Sequence, residues 1–208
     1  VEDRRILEEK TCQSFLSRLP AERRQHSLRV AEVAVKLADR YGADPDKARL
    51  AGLFHDYARD LPEDLLLRLA QEAGLMVGEI EKCHPVLLHG RVGAFLLRKE
   101  LGLEDPEVLQ AIARHSTGAT SMGLLDKIIY LADLIEPGRN FPGVEELRSL
   151  AFEDLDAALL KALDSAIIYI IEKGWPLHPD TVYARNELIL KKGGGNHSGA
   201  FPGGRVGG

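Results

Sequence analysis

Apolar positions recur at helical spacing along almost the whole chain. Leu28, Ala31, Val35 and Ala38, joined by Val30, Val33, Ala34 and Leu37, draw a broad stripe that ends near Gly42. Asp44-Pro45 places an N-cap before a first-turn proline and predicts a helix through Phe54. Asp105-Pro106 repeats that signal ahead of Val108, Leu109 and Ile112. Leu61-Pro62-Glu63-Asp64 opens another helix, with an acidic first turn suited to the macrodipole. Ser121 is the expected cap of a helix carrying Leu124, Leu125, Ile128, Ile129, Leu131 and Ala132, and Asp154 the cap of a long apolar helix that stops at Gly174. No segment alternates with β-branched residues between turn signals, so no strand is predicted, and no fixed-period repeat occurs. The expected fold class is all-α: a single helical bundle over residues 1–192, followed by a Gly-rich tail at 193–208. That tail is read as flexible because it cannot bury enough apolar surface to order itself, and His197 within it is set aside.

Composition narrows the function classes. The 208 residues suffice for one sizeable core, and 45% hydrophobic with 28% charged residues is an ordinary globular balance. A formal net charge of −5 offers no nucleic-acid surface, and an enzyme handling anionic phosphates would need metals or a local basic cluster. Cys12 and Cys83 lie far apart with no CxxC spacing, which argues against a disulfide scaffold or zinc knuckle and fits a reducing cytosol. The most apolar stretch, Ala157 to Ile171, is interrupted by Lys161 and Asp164 and reads as a buried helix rather than a membrane span. The opening Glu2, Asp3, Arg4 and Arg5 is unlike a secretory leader, so a cytoplasmic location is expected.

The candidate chemistry lies in the seven histidines and the acids among them. His26 falls near the start of the stripe ending at Gly42. His55-Asp56 closes ARLAGLFHDYA, His84 and His89 lie in CHPVLLHGRVGA, His115 ends AIARHSTG, and His178 sits in the Pro-flanked turn PLHPD. Adjacent helical residues point about 100° apart, so His55 and Asp56 can face one ion from neighbouring directions. An isolated HD pair is more often a satisfied histidine beside a solvated aspartate. Here, however, the pair follows the apolar run Leu50-Ala51-Gly52-Leu53-Phe54, whose Gly52 permits close packing, and Asp133 interrupts a strongly apolar helix. A buried carboxylate is costly unless it is paired or bound to a metal.

The order of His26, His55-Asp56 and Asp133 resembles the HD-domain superfamily of metal-dependent phosphohydrolases. HSLRVAEVAVKLA, LAGLFHDYARDLP, HPVLLHGRVGA, ARHSTG, LDKIIYLADLIEPGRNFPGVEELR and LHPDTVYARN together resemble the YqeK family, with LADLIEPGRNFPG the most specific string. The resemblance spans roughly residues 20–190. It implies a bacterial HD-domain enzyme that cleaves diadenosine tetraphosphate symmetrically to two ADP. It also implies that His26, His55, Asp56 and Asp133 ligate a first metal, that His89 and His115 serve a second, and that Asp56 bridges. Asp56 and His55 carry the catalytic assignment. Imidazoles and carboxylates without thiolate suit iron, manganese or cobalt and admit zinc; the resemblance favours iron.

Around that set, Arg59, Thr117 and Arg139 are the candidate substrate-binding residues. Arg59 stands where many HD proteins have lysine, as HDxxK, so no lysine chemistry carries over. Arg139, just past Pro137-Gly138, can reach back to a phosphate or form an ordinary salt bridge. Thr117-Gly118 offers a hydroxyl and an N–H or simply stops a helix. Glu136 is a candidate to orient a ligand imidazole. His84 and His178 are read as helix-start and turn residues, and Arg185 and Asn186 stay undecided between substrate and bundle. The expected reaction is attack by metal-activated water, and the expected partner is a nucleotide bearing a phosphate chain. No nucleic acid or membrane partner is expected, and a homodimer is left open. Rival readings are an HD phosphohydrolase of nucleoside mono- or triphosphates, or a non-catalytic HD signalling module.

Overall fold

A computed structural model describes residues 12–192 as a layered arrangement of helices, and no strand occurs among the described residues. In chain order they are α1 (12–18), α2 (Ala21–Tyr41), α3 (Pro45–Phe54), α4 (Glu63–Glu72), α5 (Glu79–Cys83), a 3₁₀ turn (Pro85–Leu88), α6 (His89–Leu101), α7 (Pro106–Arg114), α8 (Leu124–Ile135), α9 (Val144–Glu153), α10 (Leu155–Glu172) and α11 (Pro179–Lys192). The Gly-rich stretch 193–208 lies outside the described residues. No helix among the described residues is long and apolar enough to cross a membrane.

The start signals predicted at Asp44, Asp105 and Asp154 operate as read. The Asp44 carboxylate accepts from the N–H groups of Asp46 and Lys47, Asp105 from those of Glu107 and Val108, and Asp154 from that of Ala157. Ser121 does not cap α8. Its φ is +53° and its N–H donates to the Glu187 carboxylate, while Gly123 is the N-cap and the Asp126 carboxylate reaches back to the Gly123 N–H at 3.0 Å. The buried Asp126 also accepts from Gln110 and Arg114, tying α7 to α8.

α2 is the central strut. Its stripe of Val30, Ala34, Leu37 and Ala38 is fully buried against α3 and α8, within a core completed by Ile112, Ile128, Ile129, Leu131, Leu159 and Leu163. A smaller cluster of Ala58, Leu66, Ala70, Leu88, Val92 and Leu96 seats α4 and the 3₁₀ turn against α6. Two glycines permit the approaches that assemble the site. A Cβ on Gly52 would lie 2.7 Å from the Ala31 Cα, and one on Gly90 would lie 2.8 Å from the Ile112 carbonyl oxygen. Gly52 thus lets α3 bring His55 to the side of α2 that carries His26, and Gly90 lets α6 deliver His89 to the end of α7.

Gly52→Ala should therefore destabilise the fold. Alanine gains about 1 kcal/mol of helix propensity over glycine. The new methyl group, however, meets backbone rather than a yielding side chain, and such overpacking costs about 1–3 kcal/mol. A net loss of stability is expected by denaturant unfolding, and a variant as stable as its parent would contradict the close α2–α3 approach.

Candidate metal centre

Six predicted residues from five helices converge. His26 projects from the second turn of α2, His55 and Asp56 from the turn that ends α3, His89 from the first residue of α6, His115 from the C-terminus of α7 and Asp133 from the last turn of α8. Three overlapping groups among them have ligand atoms within 4.8 Å of one another: His26, His55 and Asp56; His55, His115 and Asp133; and Asp56, His89 and His115.

Asp56 stands between two imidazole pairs. Its Oδ1 lies 3.1 Å from His89 Nε2 and 3.6 Å from His115 Nε2. Its Oδ2 lies 3.6 Å from His55 Nε2 and 4.0 Å from His26 Nε2. Asp133 Oδ1 joins the second group, 3.1 Å from His26 Nε2 and 3.9 Å from His55 Nε2.

The opposite nitrogen of each imidazole is already committed. His55 Nδ1 donates to the Gly52 carbonyl at 2.8 Å, His89 Nδ1 to that of Val86 at 2.6 Å, and His115 Nδ1 to that of Ile112 at 2.7 Å. Carbonyl oxygens only accept, so these nitrogens carry the protons and each Nε2 presents a lone pair. His26 Nδ1 is held in the same way by Glu136 Oε1 at 3.1 Å. Burial would raise the Glu136 pKa, but hydrogen bonds from Arg29 and the Gly138 N–H outweigh it and keep the carboxylate ionised. With the rings neutral, two pairs of Nε2 lone pairs therefore face each other, His89 to His115 at 2.9 Å and His26 to His55 at 3.2 Å. Such pairs repel unless a cation draws both lone pairs together. Four oriented imidazole nitrogens with two carboxylates are a donor set that fits divalent transition-metal ions.

The electrostatics agree. Burial pushes His55 down to about 4, which disfavours its taking a second proton, and burial likewise lowers His89. At His26 burial also lowers the pKa, but Asp133 and then Glu136 outweigh it and the net direction is upward. Burial opposes ionisation of Asp56 and Asp133, yet the histidines around them hold both well below the usual carboxylate range. Both carboxylates are therefore ionised at any physiological pH.

A cleft of 580 Å³ opens over the centre, lined by Arg23, Arg29, Arg59 and Arg139 among other groups. Arg59 has no carboxylate partner among the described residues, and its guanidinium lies 3.4 Å from His89 Nδ1, which already donates to Val86. Arg139 pairs with Asp133 itself through its guanidinium and donates to the Asp133 carbonyl at 2.9 Å, while still lining the cleft. Thr117 is placed differently. It is buried, its hydroxyl donates to the Gly118 carbonyl, and Ser116 lines the cleft in its stead. Gly118 takes φ +69° with its N–H on the Arg114 carbonyl, so this segment ends a helix.

Arg185 donates to Asp164 at 2.6 Å and ties α11 to α10, with Asn186 exposed beside it, so neither lines the cleft. His178 is buried in its turn, 3.3 Å from Glu81. Glu136 fills the orienting role read from the sequence. Arg23 and Arg29 were not singled out there, although each lies three residues from His26 and therefore on its helix face.

This fold and centre define a metal-dependent phosphohydrolase. The family model described as "HD domain" matches residues 23–138, and the chain belongs to that family. It is 44% identical to a "Bis(5'-nucleosyl)-tetraphosphatase, symmetrical" of Halalkalibacterium halodurans, over 88% of this chain and 97% of that protein. It is 41% identical to a Bacillus subtilis protein of the same description, over 79% and 88% respectively. A solved structure from Clostridium acetobutylicum, described as a predicted HD superfamily hydrolase involved in NAD metabolism, superposes with a TM-score of 0.85 at 45% identity, covering 88% of this chain and 97% of that one.

Proposed function

We propose that the chain hydrolyses diadenosine tetraphosphate and kindred dinucleoside tetraphosphates symmetrically, giving two nucleoside diphosphates, with two divalent cations, iron by preference. The observation that carries this reading is Asp56 set between two imidazole pairs, one oxygen toward each. On this reading Asp56 would bridge, His26, His55 and Asp133 would hold one cation, and His89 and His115 would hold the other. When bound, the cations activate a water and offset charge that builds on the phosphate oxygens.

The chain's own groups bind, orient and neutralise. The cleft lining carries four arginines against Glu22, Asp56, Asp133 and Glu136, so it is formally neutral without cations. Two divalent ions would add four positive charges, matching the one ionised oxygen on each phosphate of a tetraphosphate chain. That balance accounts for how a chain of net charge −5 receives a polyanion. Arg59, with no carboxylate to hold it, binds phosphate oxygens, and Arg139, already on Asp133, contributes from the other wall of the cleft. The Nδ1 contacts keep the four imidazoles in one tautomer throughout. Water oxygen bonds to an inner phosphorus, the central P–O–P bridge breaks, and ADP leaves carrying the bridging oxygen.

Anaerobic incubation of iron-loaded protein with diadenosine tetraphosphate, with products resolved by anion exchange, tests the assignment. ADP as sole product is expected. AMP with ATP would replace symmetrical with asymmetric cleavage, and no turnover by metal-loaded protein would remove the substrate assignment.

A further inference from the structure

We propose that Arg23, tethered by Asp60, is a substrate-gripping residue that helps fix the length of phosphate chain the cleft accepts. This rests on the reading of the site as a dinucleoside tetraphosphate hydrolase. Arg23, His26 and Arg29 stand at three-residue steps on α2, each step rising about 4.5 Å along the axis. The two guanidiniums thus flank a metal-centre histidine along the helix, and all three residues line the cleft.

Their partners differ. Arg29 is committed to Glu136, the carboxylate that orients His26, so it serves the 133–139 segment together with Arg139. Arg23 reaches the opposite segment, which also carries Arg59. Its Nη1 lies 3.0 Å from Asp56 Oδ2 and its Nη2 lies 2.8 Å from Asp60 Oδ1.

Those two contacts have different fates. Asp56 Oδ2 is the oxygen that faces His26 and His55, so a cation held there competes with the guanidinium for the same lone pairs. Asp60 lies outside the ligand cluster and is half exposed, so its contact persists when the centre is loaded. Arg23 then remains anchored at the cleft wall with N–H donors released from Asp56. A phosphate oxygen is the acceptor that suits them. With Arg29 and Arg139 across His26, the cleft offers cationic contacts on both sides of the centre, which a chain split at its midpoint fills on both sides. A triphosphate can place its shorter half toward Arg23 and forgo that contact, whereas a tetraphosphate cannot.

The test compares diadenosine tetraphosphate with diadenosine triphosphate on the metal-loaded parent, Arg23→Ala, Arg23→Lys and Asp60→Asn, alongside calorimetric titration with ADP, which needs no turnover. In Arg23→Ala, KM for the tetraphosphate should rise about tenfold to a hundredfold, the range lost with one charge-assisted hydrogen bond. ADP should bind more weakly by a similar factor, and the preference for tetraphosphate over triphosphate should shrink. Arg23→Lys should recover part of each, and Asp60→Asn should raise KM by less than Arg23→Ala does.

Unchanged ADP binding and an unchanged substrate preference in Arg23→Ala would overturn the proposal and leave Arg23 an ion pair that braces α2. Should the alanine variant fold poorly, Arg23→Gln, which keeps most of the side chain's bulk, decides by the same readouts. Failure of the parent to yield ADP from the tetraphosphate would instead sink the functional reading on which this rests.

Discussion

Asp56→Ala is expected to lose hydrolysis by about a thousandfold or more while keeping the helical fold. Asp56 is the only carboxylate whose two oxygens face both imidazole pairs among the described residues, so its removal separates them into half-sites. The remaining donors are His26, His55 and Asp133 on one side, and on the other only two imidazoles, His89 and His115. Two neutral nitrogens alone hold a divalent ion weakly, so the second metal should be lost first. A single cation can still polarise one phosphate oxygen, but it cannot form a two-metal clamp.

The fold should survive because the side chain is on the surface of the site and not in the apolar core. Arg23 keeps its contact with Asp60, and the apolar residues of α3 are untouched. The measurements are metal content per chain, circular dichroism and turnover. Two bound metals with turnover within tenfold of the parent would refute a bridging role.

His55, Asp56 and Asp133 stood out because the chemistry of each conflicted with its surroundings, whereas His26, His89 and His115 were picked out by the family resemblance. Asp133 interrupts a helix whose neighbours Ile129 and Ala132 are fully buried, and His55-Asp56 ends a run in which Ala51 and Phe54 are buried. A polar group in such a place announces a partner. Arg23 gave no comparable signal. It lies on the polar side of an amphipathic helix, where arginine is ordinary, and its meaning depends on Asp60, 37 positions later.

Long-range polar pairs were illegible for the same reason. Glu81 and His178 lie 97 positions apart, and neither sits in a run that reads as buried. In the structure both are buried. Burial alone would raise the Glu81 pKa, but Arg91 at 2.6 Å, the backbone and His178 hold it down to about 2. Thr181 extends this tie by donating its hydroxyl to the Thr117 carbonyl at 2.9 Å, just past His115. The Pro-flanked turn therefore braces the segment that ends α7, a role set by packing and invisible in PLHPD itself. Ser121 failed as a cap for a local reason. Its φ is +53°, whereas an N-cap residue takes an extended conformation, and Gly123 with Asp126 supplies the bonds instead.

Removing the metal should cost the protein stability as well as activity. The centre gathers four imidazole lone pairs and two ionised carboxylates, with Nε2 atoms 2.9 Å and 3.2 Å apart in pairs. In the neutral rings the Nδ1 hydrogens are engaged by Gly52, Val86, Ile112 and Glu136, which leaves the Nε2 lone pairs facing one another. Cation binding converts this repulsion into attraction and selects the folded arrangement, since the ligands come from helix ends far apart in sequence. At a free metal concentration about a thousand times the dissociation constant, the linkage stabilises the folded state by about 4 kcal/mol. For a chain of this size that corresponds to a rise in melting temperature of roughly 8–16 °C.

Chelation should therefore lower the melting temperature and abolish turnover together, and restoring metal should recover both. Iron, manganese, cobalt and zinc added back separately would rank the ions by shift and by rate. The two rankings need not agree, because a tightly held ion can stabilise the fold without activating water well. A chelated protein stripped to below about a tenth of an equivalent of metal, yet melting and turning over like its parent, would mean the convergent nitrogens serve packing alone. A protein that loses turnover without a shift in melting would mean that the helix ends are held in place by the core, with the cation needed only for the chemistry.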